Sequence, residues 1–527
     1  MFNEQVLSPF RDLLSQFSQK LSNTKQIPIS NDISEILPKR IQLDDTQTMN
    51  LTENESNLPA MYYNRWKQNG FGRNANKYRN IKYCSNVKMI SPHMVRQNNL
   101  FWQIVHTSDQ EMIVYAYNAY YDNRLYGKPA VKVITVTDRQ VPVEKIKWWC
   151  LLWFDNLLDP VLSTVDDVYT VWPEYWNFGV NNGTYGPQIF TCSIPEQYSN
   201  QIPQAISIQT SDNCEKIGTN PGNLLRVIYN LPEKKPRKQS IGICVQAFRF
   251  GTYDVSVRLV EWLEMVKIMG ADQVYFYVYG ATENMMKVLH HYKKEGFVNW
   301  RRLTLPGEQV NVPSLYNYYF NQLGGKFWPQ ELIELNDCLY RNIYRHEYLV
   351  VKDIDEMIMP QKLNNWHELI NQIESKMTEA DLKKKAYYVN RHAYVYEMFE
   401  EKMIEGEESK PIPEYLYMMR HTYRSELLKR GVNIKCFHRT DLVSAVHNHY
   451  PMRCINTTGH HSCDGLAIRY NDSILMHYRR NRSPPEDCKT PENPIKCSVH
   501  DRTAWRYFEM LNKFVRTQLE IIFEPKI

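Results

Sequence analysis

The 527-residue chain is 43% hydrophobic and 23% charged, the proportions of a globular protein and not of a disordered one. Its 20 glycines exclude a collagen-like or glycine-rich low-complexity protein, and its length predicts several domains. With 63 basic against 58 acidic residues the net charge is only +5, which gives no nucleic-acid or membrane footprint.

Residues 1–60 read as a polar stalk. Beyond a candidate short helix at Arg11–Lys20, Ser, Asn, Gln and Asp dominate with little periodicity. Residues 61–230 read as a β-rich accessory domain. Short aromatic and β-branched runs at Gln103–Val105, Met112–Tyr121, Ala130–Thr137, Ile146–Phe154, Asp167–Trp172 and Leu224–Tyr229 predict strands. Turn signals such as Asn181-Asn182-Gly183 and Asn220-Pro221-Gly222 separate several of them, suggesting an antiparallel sandwich or sheet. Residues 231–240 are charged and twice broken by proline, as expected of a solvated linker.

From Ile241 to the end, strands alternate with helices. Strands are predicted at Ile241–Ala247, Gln273–Tyr279, Val298–Leu303 and Tyr348–Val351, and helices at Asp254–Met269, Thr282–Glu295 and Pro329–Tyr344. Gly270 and Gly296 stand where a helix C-terminus wants a residue with positive φ. This alternation predicts an α/β domain over 241–527, a largely parallel sheet with helices on both faces. Ligands of such sheets sit at the carboxyl ends of the strands.

Eleven cysteines show no Cys-x-x-Cys spacing, which speaks against a zinc ribbon or a thioredoxin motif. Asn50, Asn54, Asn182, Asn456, Asn471 and Asn481 each head an Asn-x-Ser/Thr triplet, so a secretory-pathway protein with some bridged cysteines is expected. The N-terminus is neither a signal nor a transit peptide, and no run of 18 apolar residues occurs. The expected location is the Golgi lumen, with any membrane attachment through an anchor not present in this sequence.

The strand ending at Val351 runs into Lys352-Asp353-Ile354-Asp355-Glu356. In extended chain, residues two apart point the same way, so Asp353 and Asp355 present their carboxylates together. Two hard oxygen donors with no cysteine or histidine in the cluster suit Mn²⁺ or Mg²⁺, ions that commonly also bind substrate phosphates. The chemistry this suits is departure of a diphosphate, whose growing charge a cation neutralises. A solvated acidic turn is the bland alternative.

Cys244, Tyr253, Glu261 in Leu259-Val-Glu-Trp-Leu-Glu264, Gly270-Ala-Asp-Gln-Val-Tyr-Phe-Tyr277, Asn336-Asp-Cys-Leu339, Asp353-Ile-Asp-Glu-Met-Ile-Met-Pro360 and His477-Tyr-Arg479 occur in this order. The set resembles glycosyltransferase family 92 over about Gly242 to Arg482. Ala119-Tyr-Tyr-Asp-Asn-Arg124 also resembles a segment found ahead of that domain. The resemblance implies a GT-A-like sheet that binds a nucleotide sugar, and an inverting, metal-dependent transfer of a hexose onto a glycan hydroxyl, several members using UDP-galactose. It further implies that Asp353, Asp355 and His477 ligate the metal, and that Asp337 and Arg479 join Asp353 and Asp355 in binding the UDP-sugar.

The resemblance assigns no catalytic base. Glu356 is the candidate entered for that role, although it can instead brace its loop; Asp464, His447, His449 and His461 are the others. His460-His461-Ser-Cys463 reads as a structural loop and not a zinc site. Asp337 lies on a helix whose surface polarity is its alternative explanation, with Cys338 packed as a small apolar residue. Trp300, Trp328 and Trp366 fit buried core better than sugar platforms. A non-catalytic lectin-like or scaffold protein of the same fold is the opposing reading, and a cytosolic nucleotide-binding hydrolase a third.

Overall fold

The computed structural model describes residues 77–90, 94–105, 112–124, 128–138, 146–173, 185–232, 238–315, 328–397, 400–404, 409–455, 463–479 and 499–523. The polar stalk, the sequons other than Asn471, His460, His461, Cys488 and Cys497 lie outside the described residues. Asn471 sits exposed in the turn before the strand Ser473–Arg479.

The N-terminal region is a barrel. Its strands are β1 (Gln97–Asn99), β2 (Trp102–Val105), β3 (Val114–Asp122), β4 (Ala130–Thr137), β5 (Trp149–Trp153), β6 (Val161–Thr170), β7 (Gly186–Ser193), β8 (Ala205–Gln209) and β9 (Leu225–Ile228). They are ordered β1-β2-β3-β4-β7-β6-β5-β8-β9, and a β3–β9 pairing closes the ring. This corrects the expected sandwich or sheet. The cause is local: β3 pairs with β2 up to Ala116, its register shifts before Asn118, and it then pairs in parallel with β9 at Ala119 and Tyr120. Such irregularities bend strands and let one strand serve two neighbours. Strands β7 and β8 were not predicted; β7 mixes Gly, Pro and Gln with its apolar residues.

Residues two apart fill the barrel interior: Val131 and Val133, Phe190 and Cys192, Ile206 and Ile208, Leu225 and Val227. Disulfides Cys150–Cys192 and Cys84–Cys214 staple strands and the lead-in segment. The outer face of β3 and β4 is buried too, because it packs on the helix Trp328–Asn342. Of the expected solvated linker, Gln239 is instead buried. Its backbone N donates to Glu347 (2.6 Å) and its amide to Asn371 (2.9 Å).

The C-terminal region is α/β as predicted. Its strands β10 (Ile241–Val245), β11 (Phe248–Arg249), β12 (Gln273–Gly280), β13 (Val298–Arg302) and β14 (Tyr348–Lys352) are followed by β15 (Glu356–Pro360) and the long β16 (Lys385–Tyr396). Strands β13, β12, β10 and β14 run parallel in that order; Lys435–Arg439 then pairs antiparallel with β14 and with β16. Helices cover both faces. Ile241, Ile243 and Val245 point into a core with the helices Ser256–Ile268 and Trp366–Glu374. From the opposite face of β10, Cys244 reaches the helix Trp328–Asn342 through a disulfide to Cys338. Cys338 is therefore bridged, not packed as a free apolar residue. Gly270 takes φ 96° after the helix Ser256–Ile268, and a Cβ there would lie 2.6 Å from the His367 ring.

Among the described residues no helix is long and apolar enough to cross a membrane. The four disulfides, the last being Cys454–Cys463, fit a secreted or lumenal protein.

Candidate functional site

The chain passes from β10 to β12 and β13 on one side, then returns to β14 on the other. That reversal leaves a crevice at the carboxyl ends of β10 and β14, where open α/β sheets bind ligands. A cavity of about 330 Å³ lies there. Val245–Phe248 form one wall, and Asp353, Asp355, His477 and Arg479 the opposite one.

Three buried groups shape the acidic turn. Lys352 ends β14, its Nζ donating to the Glu356 carbonyl (3.0 Å) and lying 4.8 Å and 5.2 Å from the Trp262 and Trp366 ring centres. Trp262 Nε1 donates to the same carbonyl (3.0 Å). The Glu356 carboxylate accepts from Asp353 N (2.9 Å), while Glu356 N donates back to Asp353 O (3.2 Å). These bonds hold Asp353 and Asp355 at the cavity. Strand β15 then pairs with Ser473–Arg479, placing His477 directly opposite Glu356.

His477 Nε2 stands 3.3 Å from Asp355 Oδ2, and its Nδ1 lies 3.4 Å from Glu356 Oε1 without a hydrogen bond. Beneath them, fully buried Lys435 reaches Glu356 Oε2 (3.1 Å) and Asp353 Oδ2 (3.6 Å), and donates to Asn448. Burial alone would raise the Glu356 pKa, but Lys435 and His477 outweigh it and hold it at about 2. Asp353 opens to the cavity yet has protein on its other sides. That desolvation, helped by Glu356 and Asp355 against the pull of Lys435, raises it to about 6. Burial disfavours the His477 imidazolium, but the bond to Asp355 and the charge of Glu356 win and raise its pKa.

The sequence-predicted residues divide accordingly. Asp353, Asp355, His477 and Arg479 converge on one cavity, with Glu356 buried behind them. Asp337 is elsewhere and fully buried. It accepts from Asn118 Nδ2 (2.7 Å) and Tyr120 of β3, from Tyr277 OH (2.5 Å) and from Arg341 Nε (2.6 Å). The structure thus brings it to the barrel interface and not to the acidic cluster, because its helix face meets β3. His447 stacks on Trp172 and Tyr450, His449 Nδ1 contacts Ile434 O at 3.2 Å, and Asp464 pairs with Lys385 at 2.8 Å. Trp300 and Trp366 are buried, and the side chain of Trp328 lies outside the described residues.

Among the described residues no three His, Cys, Asp or Glu side chains form a ready-made metal cage. The donor set nevertheless fits a hydrated Mn²⁺ or Mg²⁺. Two carboxylates and an imidazole line one wall, and such ions use one or two carboxylates plus substrate phosphates and water. A cation would also favour ionised Asp353, whose present surroundings favour the proton.

Reading by motif missed Lys435, although a lysine in the apolar run Ile434-Lys-Cys-Phe437 is a signal for a buried ion pair. It also left the motif residues Glu261 and Tyr253 without roles. Glu261 Oε1 accepts from Met418 N (2.8 Å), pinning the segment around Tyr417, and Tyr253 lines the cavity.

A crevice at the switch point of a parallel sheet, walled by acidic side chains and an arginine, defines an α/β protein built to take an anionic ligand. The sequence profile of glycosyltransferase family 92 matches residues 239–518, and the chain belongs to that family. No curated protein matches it.

Proposed function

We propose that the chain is a metal-dependent, inverting hexosyltransferase with a GT-A-type sheet over 241–527. Its donor is a nucleoside-diphosphate sugar, with UDP-galactose the first to test, and its acceptor a glycan hydroxyl. The single observation that carries this is the convergence of Asp353, Asp355, His477 and Arg479 on the switch-point cavity in a chain of a glycosyltransferase family. Residues 61–230 act as an accessory domain, and the Golgi lumen is the proposed site of action.

In this reading Asp353, Asp355 and His477 hold Mn²⁺ or Mg²⁺. The bound ion supplies neutralisation of the charge that grows on the departing diphosphate. Arg479 adds a guanidinium to the phosphate oxygens. The acceptor oxygen bonds to the anomeric carbon as the bond to diphosphate breaks, the electron pair leaves with the nucleotide, and the hydroxyl proton goes to a general base. Glu356 suits bracing better than that role. With a pKa of about 2 it is a weak base, and Lys435 and Asp353 N already occupy its oxygens.

The test is UDP release from a panel of UDP-sugars with Mn²⁺ and glycan acceptors. Wild type should turn over, and Asp353→Asn and Asp355→Asn should each abolish release while keeping the wild-type melting curve. Turnover in EDTA, or activity surviving both substitutions, refutes the metal mechanism.

A further inference from the structure

A second cavity of about 520 Å³ adjoins the first. Tyr253, Val255 and Arg258 belong to both. Its far wall comes from the end of β16 and from the segment pinned by Glu261, with Glu397, Glu400, Tyr417 and Arg420. Resting on the donor reading above, we propose that this second cavity is the acceptor site and that it takes a neutral saccharide.

Position is the first argument. Glu397 directly follows Tyr396, which pairs with Arg479 of the donor cavity. Arg258 stands between the two spaces, donating to Tyr478 O (3.3 Å) with its other arm 3.9 Å from Glu397. A ligand here meets a donor sugar across one side chain. A depression so placed brings two reactants together, which is the main contribution of binding to a bimolecular transfer.

Chemistry is the second. Tyr253 is 44% exposed and offers an aromatic face at the junction. The Arg258 guanidinium lies 3.7 Å from the Tyr417 ring centre, fixing that ring. Glu397 accepts from Tyr417 OH and Glu400 pairs with Arg420, both carboxylates remaining partly exposed. Aromatic surface with convergent polar groups is the recipe for an oriented polyhydroxyl ligand. Each arginine already faces a carboxylate, so no uncompensated cation waits for a sulfate or sialate.

Rigidity is the third. The wall is tied by Glu261 to Met418 N, and His421 Nδ1 lies 2.7 Å from Tyr417 O. It is built without a ligand, as a pre-organised site requires.

The experiment measures binding, not turnover. Lactose, N-acetyllactosamine and a high-mannose glycan, with their sialylated or sulfated counterparts, are titrated by saturation-transfer NMR against wild type, Glu397→Gln and Val257→Trp. UDP with Mn²⁺ is titrated in parallel by calorimetry. Val257 is 41% exposed on the first turn of its helix and lines only the second cavity, so tryptophan there fills the space without disturbing the core. A neutral glycan should bind wild type, and each substitution should weaken it by about tenfold or more, the scale of one hydrogen bond to a charged group. The affinity for UDP should not change. No neutral ligand, preference for the anionic ones, or both variants binding like wild type overturns the proposal. Variant-sensitive glycan binding with no UDP binding would refute the donor reading and leave this site standing. Normal UDP binding without it would do the reverse.

Discussion

Asp337→Asn separates a structural from a ligand-binding role for the one acidic residue of the family pattern that lies away from the crevice. In the wild type its carboxylate accepts four hydrogen bonds from three elements, two of them from β3 of the barrel, and it neutralises buried Arg341. Asparagine keeps the volume but removes the charge, turns one acceptor into a donor facing donors, and leaves the guanidinium unpaired. Removing one partner of a buried pair costs about 3–5 kcal/mol. For a cooperative unit of this size 1 kcal/mol moves Tm by about 1 °C, so a fall of about 3–5 °C is expected. Burial opposes the Asp337 charge, but Arg341 and the two tyrosines hold its pKa below the usual carboxylate value. Its contribution is present above the unfolded pKa and is lost only as pH falls through the lower folded one. The deficit of the variant should therefore be the same at pH 6 and pH 8. Scanning calorimetry at both values, with UDP titration of the folded variant, is the assay. Unchanged Tm with lost UDP affinity would refute the structural reading.

Glu261→Gln should stabilise the protein selectively at high pH. Desolvation, only partly offset by the Met418 N–H and Arg258, raises Glu261 to about 8. Wild-type stability is therefore fully present below the unfolded carboxylate pKa and declines as pH rises towards 8, a loss on the order of a few kcal/mol. The glutamine carbonyl can still accept from Met418 N, so urea melts should coincide at pH 5 and favour the variant at pH 9; parallel curves would disprove the buried acid. Replacing Cys244 and Cys338 together by serine should cost about 2–5 kcal/mol, read as a lower urea midpoint that matches wild type treated with reductant. Equal midpoints would show that the two cysteines are not bridged.

What the residues revealed in advance depended on the range of the interactions involved. The strands and helices of the α/β region were legible because each is set by its own periodicity and ended by a local device, such as Gly270 at φ 96°. Asp353, Asp355 and His477 were legible because a strand end and two-residue spacing fix where carboxylates point, and an ordered motif set supplied the histidine. The barrel was not, since its closure depends on a register shift inside β3 and a parallel contact with β9 more than a hundred residues later. Asp337 was misplaced for the same reason: the polar face of its helix looks solvent-directed until β3 covers it with Asn118 and Tyr120.

The buried charges extend that argument to the site. Lys435 comes from a strand antiparallel to β14 and carries no motif, yet it keeps Glu356 ionised and tied to the turn. Lys352 and Trp262 meet on the Glu356 carbonyl from below. Each of these groups fixes the backbone and not a ligand. Removing both partners of a buried pair is often tolerated, whereas removing one leaves an uncompensated charge. The acidic turn is consequently rigid through its second residue layer, and the exposed oxygens of Asp353 and Asp355 are left to whatever cation and anion the crevice receives.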